Sequence, residues 1–298
     1  MSAGGEVVTI GVVGYLSLDD IVIDGVVHRG VPGGAALYAA LGALAGGVRV
    51  LLGVARGSDF PDAALEALAT MGVDLSAVVR VDHATRRARL VYGRDGQRES
   101  GHYRRSEWHA ATRALMPPVL PDGVFPRVVV LTAMPPETLE RQIEWARVHG
   151  ARVVVDTSEV FATAAPERIL ELVRRMDLFA PSREETRCLL PGLDDDAALA
   201  ALADRCPRVV QKRGDAGLAL VSAAHPSGLR RPALATPLVD PTGAGDACVG
   251  ALGAGVARGL DDPALLALGL GVAARAVAGF GPEGLGLTSP MAARETMR

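Results

Sequence analysis

The 298-residue chain sets 34 acidic against 31 basic residues, a net charge of −3, with 49% apolar and only 4% aromatic side chains. A mean hydropathy of +0.24 and a sequence pI near 6.1 exclude a disordered chain, which needs low hydrophobicity and high net charge, and leave no basic footprint for nucleic acid or an anionic membrane. The one lysine, Lys212, is followed by Arg213 and stands outside any G-x-x-x-x-G-K-[ST] run, which excludes a P-loop nucleotidase.

From the start of the chain, MSAGGEVVTI has neither the basic nor the apolar region of a signal peptide. Glu6–Gly14 reads as a buried strand. Leu18–Val31 has β character with polar alternation, and Gly34–Ala45 has helical spacing. Val48–Val54 is a strand, and Asp59–Met71 a helix whose start is marked by Asp59 and Pro61. Thr85–Tyr103 is again β with polar alternation, and its Asp95-Gly96 pair suits a tight hairpin turn. Strands at Arg127–Leu131, Arg152–Asp156 and Arg208–Lys212 then alternate with helical patterns at Glu137–His149 and Ala197–Asp204. Gly217–Ser222 and Leu229–Ala235 read as antiparallel strands, and helices follow to the end. Arg258, Asp261, Asp262 and Arg275 cut that Ala-rich stretch below the ~18 apolar residues of a membrane span.

Alternation of this kind means βαβ units and a mostly parallel sheet covered on both faces. Residues 1–298 therefore form one α/β domain. The two segments that break the rhythm, about 18–31 and 85–103, read as one small accessory sheet. Placed over the strand C-termini it acts as a lid; pattern alone equally admits an edge decoration.

The most informative stretch is Asp240-Pro-Thr-Gly-Ala-Gly-Asp246, followed by an apolar run from Ala247 to Val256. Glycines where a helix begins allow close backbone approach, and successive N–H groups there make an anion-binding cup. A carboxylate in the first helical turn is placed to take a proton from an attacking hydroxyl. The seven-residue string resembles the C-terminal signature of the ribokinase-like (PfkB) carbohydrate kinases, and further landmarks occur in order along nearly the whole chain. The resemblance implies a three-layer ribokinase-like sandwich with a small β-sheet lid. It also implies an ATP- and Mg2+-dependent phosphotransferase acting on a hydroxyl of a sugar, nucleoside or similar polyol. Asp246 is then the catalytic base, and the backbone of Gly243, Ala244 and Gly245 the anion hole. Asp240 marks the place where relatives respond to a monovalent cation such as K+.

Gly33-Gly34 before the helix containing Tyr38 is similar to the N-terminal family signature at the substrate, with Tyr38 where Asn is frequent. Gly14-Tyr-Leu-Ser17-Leu-Asp19 resembles the family's G-S-x-N-x-D segment; Asp19 is the candidate for gripping a vicinal diol, with Ser17 replacing Asn. Ser182-Arg-Glu-Glu185 matches N-x-x-E with Ser for Asn, which gives Glu185 an indirect role toward Mg2+ and its waters. Gly214 and Gly217 after Lys212 resemble a nucleotide-side turn. Lys212 is either a phosphate contact or a surface strand-end lysine. Gly279, within Val277–Gly281, stands where the family lines the adenine pocket with small residues. Asp156, at a strand C-terminus, positions phosphates or substrate or serves structurally.

Cys188, Cys206 and Cys248 include no C-x-x-C pair, which points to a reducing cytoplasm, and Cys248 reads as a small buried hydrophobe. The six histidines show no metal spacing. Two other readings compete. A Rossmann dehydrogenase is set aside because Gly11–Gly14 lacks G-x-G-x-x-G. A catalytically silent ligand-binding relative is disfavoured by the intact Gly243–Asp246 string. Because Ser17 and Tyr38 stand where ribose pockets use Asn, free ribose is expected to be a poor acceptor. Apolar Ile21, Ile23, Val26, Leu90 and Val91 on the lid are expected to pair with a second copy, giving a homodimer.

Overall fold

The computed structural model describes residues 9–93, 98–102, 105–288 and 293–296. In chain order the elements are β1 (Thr9–Tyr15), β2 (Ser17–Ile23), β3 (Val26–Gly33), α1 (Ala35–Ala45), β4 (Arg49–Arg56), α2 (Asp62–Thr70), β5 (Val73–Asp74), β6 (Val78–Arg80), β7 (Arg86–Tyr92), β8 (Arg98–His102) and α3 (Arg105–Ala114). There follow β9 (Val128–Leu131), α4 (Pro136–Val148), β10 (Arg152–Val155), α5 (Glu159–Ala164), α6 (Pro166–Val173), β11 (Leu178–Phe179), α7 (Arg183–Leu189), α8 (Asp195–Ala203), β12 (Arg208–Lys212), β13 (Leu218–Ser222), β14 (Leu229–Arg231), α9 (Ala244–Arg258), α10 (Asp262–Val277) and β15 (Ala293–Thr296).

The large sheet has the order β14-β13-β12-β11-β10-β9-β1-β4-β5, with β6 also on β4. It is parallel from β12 to β5, and β13 and β14 are antiparallel at one end. Its strands are apolar on both faces for a reason visible in the packing. Ile10, Val12, Val130 and Val154 meet α1, α2, α9 and α10, while Val13, Val129, Leu131 and Val155 meet the layer of α4 to α8. Residues that alternate along each strand thus enter two different cores. The three-layer sandwich expected from the sequence is the one found.

The accessory sheet is also present, in the order β15-β3-β2-β7-β8. The first expected segment is the β2–β3 hairpin, turned by Asp24-Gly25 with φ of 50° and 75°, the positive pair that a two-residue I′ turn requires. The second is β7 with β8; the expected turn at Asp95-Gly96 lies outside the described residues. Two readings need correction. Asp59 does not cap α2: Pro61 is the N-cap residue, and Asp59 instead accepts from the Thr85 N–H at 2.6 Å and Arg87 at 2.5 Å, tying the entry of α2 to the lid. Ile21 is not exposed on the lid but fully buried within this chain.

Helices α1 and α9 touch backbone to backbone. A methyl group on Gly250 would stand 1.9 Å from the Ala39 carbonyl oxygen, and one on Gly42 would stand 2.0 Å from that of Ala247. Neither obstacle is a side chain that can swing away. Gly250→Ala is therefore expected to lower stability by at least about 2 kcal/mol through overpacking. In urea this reads as a lower midpoint at unchanged slope; an unchanged midpoint would refute the close-contact role.

Candidate active site

The site lies where the parallel strands end, as ligand clefts in open α/β sheets do. Tyr15 closes β1, Lys212 closes β12, Asp156 follows β10, and α9 begins beside them. Ser17, Asp19, Gly34, Tyr38, Gly243 and Asp246 line a single cavity of about 210 Å³. Acceptor-side and base-side candidates, more than 200 residues apart in sequence, are thus brought together.

On the α9 side, Gly243 is the N-cap residue in the left-handed conformation, φ 74°, and the Tyr38 ring lies flat on its Cα. A Cβ there would fall 2.2–2.4 Å from ring carbons. Both facts require glycine. The Gly243 and Gly245 amides donate to no group among the described residues, whereas the Ala244 N–H makes a 3.3 Å turn bond to the Pro241 carbonyl. Two of the three expected cup donors are therefore without a partner among the described residues, at the positive end of a helix dipole. Asp246 lies in the first turn above them.

On the acceptor side, the glycine pair has a specific steric task. A Cβ on Gly34 (φ 98°) would meet the Tyr15 carbonyl oxygen at 2.5 Å, and one on Gly33 would meet Asp19 Oδ2 at 2.6 Å. Asp19 is 5% exposed. Its Oδ2 accepts from Ser17 Oγ at 2.9 Å, so Ser17 orients Asp19, while Oδ1 is buried with no hydrogen-bond partner. Burial pushes the Asp19 carboxyl up to about 6, against the Ser17 bond and the Arg86 charge. The Tyr38 hydroxyl is likewise buried without a partner. Burial and the charges of Asp240 and Asp19 push it well above the ordinary phenol range.

Beside the cup lies a buried charge cluster. Lys212 is not at the surface: Nζ donates to both Asp156 oxygens at 2.6 and 2.7 Å and lies 4.0 Å from Glu185 Oε2. Burial pulls its pKa down, but the Asp156, Glu185 and Asp246 carboxylates reverse this and hold it charged. Its side chain also runs beside the cup, for a methyl on Gly245 would stand 3.8 Å from Nζ. Glu185 forms a capping box with Ser182: Oε2 accepts the Ser182 N–H at 2.6 Å and Ser182 Oγ accepts the Glu185 N–H at 3.1 Å. Serine thus does the work of an N-cap residue. Burial pushes Glu185 up to about 8, partly offset by Lys212. No group of three His, Cys, Asp or Glu among the described residues forms a metal cage. Mg2+ keeps its waters and binds largely through phosphates, so Glu185, one carboxylate of the cluster around Lys212, suits an indirect role toward it.

Asp240 is fully buried and joins two loops, accepting from the Thr242 N–H at 2.9 Å and the Gly281 N–H at 2.8 Å. Thr242 Oγ1 is buried and unpartnered beside it, an oxygen set that suits a hard monovalent cation. Three glycines assigned to the nucleotide serve otherwise or neutrally. Gly217 (φ 83°) is packed on the chain at Arg231–Ala233, and Gly279 on Gly284, while Gly214 (φ 58°) faces open space. Burial pushes the Cys248 thiol up to about 12, in keeping with a small apolar residue. The sequence reading missed Arg86, Trp108 and Phe161, which also line the cavity. Arg86 lies in a polar-looking R-R-A-R strand, and nothing local marks α3 as a cavity wall.

The model of the pfkB family of carbohydrate kinases matches residues 24–284. The chain belongs to that family and is a phosphotransferase acting on an alcohol group. It is 28% identical over 264 residues to the cytidine kinase of Thermococcus kodakarensis, covering 87% of this chain and 92% of that one. In fold it resembles a candidate ribokinase II from Escherichia coli solved with ATP and Mg2+ (TM-score 0.75, 20% identity, 94% of this chain and 96% of that one). The Burkholderia thailandensis nucleoside kinase solved with inosine is similar too (TM-score 0.73, 18% identity, 92% and 93%).

Because Asp19 is ionised at a cost to the fold, its removal has a measurable sign. Its pKa is higher folded than unfolded, so the wild type loses stability as pH rises from about 4 through about 6. The loss is on the order of 3 kcal/mol at neutral pH. Asp19→Asn is expected to melt higher than wild type at pH 7 and equally at pH 4. A lower melting temperature at pH 7 would contradict the burial argument.

Proposed function

We propose that the chain transfers the γ-phosphoryl group of ATP to a hydroxyl of a small sugar, cyclitol or nucleoside. The observation that carries this reading is the sharing of one cavity by Asp246, the open cup at Gly243 and the unsatisfied Asp19. Asp19 accepts from two adjacent hydroxyls and fixes the acceptor. Asp246 takes the proton of the reacting hydroxyl as its oxygen bonds to phosphorus and the bond to the β-phosphate oxygen breaks, releasing ADP. The Gly243 and Gly245 amides receive the charge that gathers on the transferred phosphoryl, with a lesser share for Ala244. Lys212 and Glu185 stand on the phosphate side. Glu185 would help hold Mg2+, which would supply charge neutralisation to the phosphates. K+ at Asp240 would steady the loop that carries the cup. Gly214 stays in this reading as an open point near the nucleotide; Gly217 and Gly279 act through packing. Three free cysteines fit a cytoplasmic enzyme, and no helix among the described residues is long and apolar enough to cross a membrane.

Replacing Asp246 with Asn is expected to lower turnover at least ~100-fold with ATP affinity kept, as read by ADP release and by nucleotide titration. Turnover near wild type would remove Asp246 from the mechanism. Free ribose is expected to be a poor acceptor, since Ser17 spends its O–H on Asp19 and Tyr38 lies on Gly243.

The lid also supports a homodimer. Ile23, Val26, Leu90 and Val91 are only half-buried in the single chain, and β8 ends the described strand order. Light scattering at micromolar concentration is expected to give twice the 30.8 kDa chain mass; the monomer mass would rule the dimer out.

A further inference from the structure

We infer that Arg86 selects the acceptor, and that the acceptor is a nucleoside whose base offers two adjacent hydrogen-bond acceptors in its plane, as cytosine (O2, N3) and the 6-oxopurines (O6, N7) do. This rests on the kinase reading above and narrows its substrate class. Arg86 enters the cavity from lid strand β7, opposite Ser17 in register. Its guanidinium carbon sits 4.3 Å over the Tyr15 ring and 4.6 Å over the Trp108 ring. Those rings are fixed. Tyr15 Oη donates to the Thr112 carbonyl at 3.1 Å, Thr112 Oγ1 donates to the Trp108 carbonyl at 2.8 Å, and the rings are 2% and 8% exposed. A guanidinium's N–H groups lie in its own plane, and one held over two fixed aromatic rings has little room to swing that plane. It reads coplanar acceptors.

The rest of the cavity fits the same ligand. Arg87, its neighbour, is drawn to Asp59, so it does not duplicate the reading. Asp19, acceptor-only with a buried unpartnered oxygen, calls for a donor pair such as a ribose diol. The wall formed by Leu90, Tyr92, Val160 and Phe161 is apolar or aromatic and suits a flat ring. A bare polyol would set hydroxyls against that wall. A phosphorylated sugar would bring an anion beside the Asp19 and Asp246 carboxylates, while Arg87, the other arginine lining the cavity, is already paired with Asp59. Adenine sets the N6 amino donor beside its N7 acceptor, which mismatches a donor-only guanidinium. A site built on hydrogen bonds rejects analogues that leave its polar groups unpaired.

The test is an acceptor panel on the full chain with ATP and Mg2+: cytidine, inosine, adenosine, ribose, myo-inositol and fructose 6-phosphate. The wild type is expected to show kcat/KM for cytidine or inosine at least ~10-fold above adenosine and at least ~100-fold above the three non-nucleosides. Arg86→Lys, which keeps the charge but loses the planar fork, and Arg86→Met are expected to lower kcat/KM for the preferred nucleoside at least ~10-fold, mainly through KM. Adenosine should change less than ~3-fold, so that discrimination collapses. Best turnover with ribose, inositol, fructose 6-phosphate or adenosine overturns the proposal, as does an equal loss on every acceptor in the Arg86 variants. Should neither variant fold, the wild-type panel decides alone. Loss of all turnover in Asp246→Asn, whichever acceptor is preferred, keeps the kinase reading standing when the Arg86 assignment falls.

Discussion

Everything at the site depends on how closely α1 and α9 approach. Gly42 and Gly250 remove the two Cβ atoms that would hold the helices apart, each facing a carbonyl oxygen of the other helix. The N-terminus of α1 carries the Gly33-Gly34 corner that makes room for Asp19, and the N-terminus of α9 carries the cup and Asp246. One contact between backbones thus sets the distance between Asp19, the proposed acceptor anchor, and Asp246, the proposed base. Tyr38, on α1 and flat against Gly243, transmits the same constraint at the cavity floor. Catalytic positioning tolerates little error, which explains why rigid backbone contact, rather than adjustable side chains, joins the two halves.

The second theme is charge held in the fold at a cost. Asp19, Asp156, Glu185 and Lys212 are all buried or nearly so. Burial raises the carboxyls of the first three, and Lys212 stays charged only because carboxylates surround it. Buried ion pairs are weak sources of stability. Such a cluster accords with the proposed site, where charge would arrive with the ligand: phosphates for Lys212, hydroxyl donors for the open oxygen of Asp19.

Much of this was legible in the sequence, and the limits are physical. The strand–helix alternation is local chemistry, and the mostly parallel sheet followed from it; the two accessory-sheet segments stood out as breaks in that rhythm. Asp240–Asp246 could be read because the full seven-residue string resembles a family signature; a glycine-rich helix start alone would have passed for a turn. Two signals were present and unread. Asp24-Gly25 states a hairpin turn as clearly as Asp95-Gly96, and Ser182-x-x-Glu185 is a capping box by spacing alone. Other features exist only in three dimensions. No local pattern says that Lys212 meets Asp156, 56 positions earlier, or that Gly217 is there for the chain at Arg231. Arg86 looks like a solvated strand residue until Tyr15 and Trp108 close on it.

The most direct test of the shared cavity is a crystal structure of the enzyme with cytidine and a non-hydrolysable ATP analogue. The reacting hydroxyl is expected within about 3 Å of an Asp246 oxygen, with the ribose diol on Asp19 and the γ-phosphate against the Gly243 and Gly245 amides. An acceptor bound elsewhere, or one whose hydroxyl meets a carboxylate other than Asp246, would contradict that arrangement.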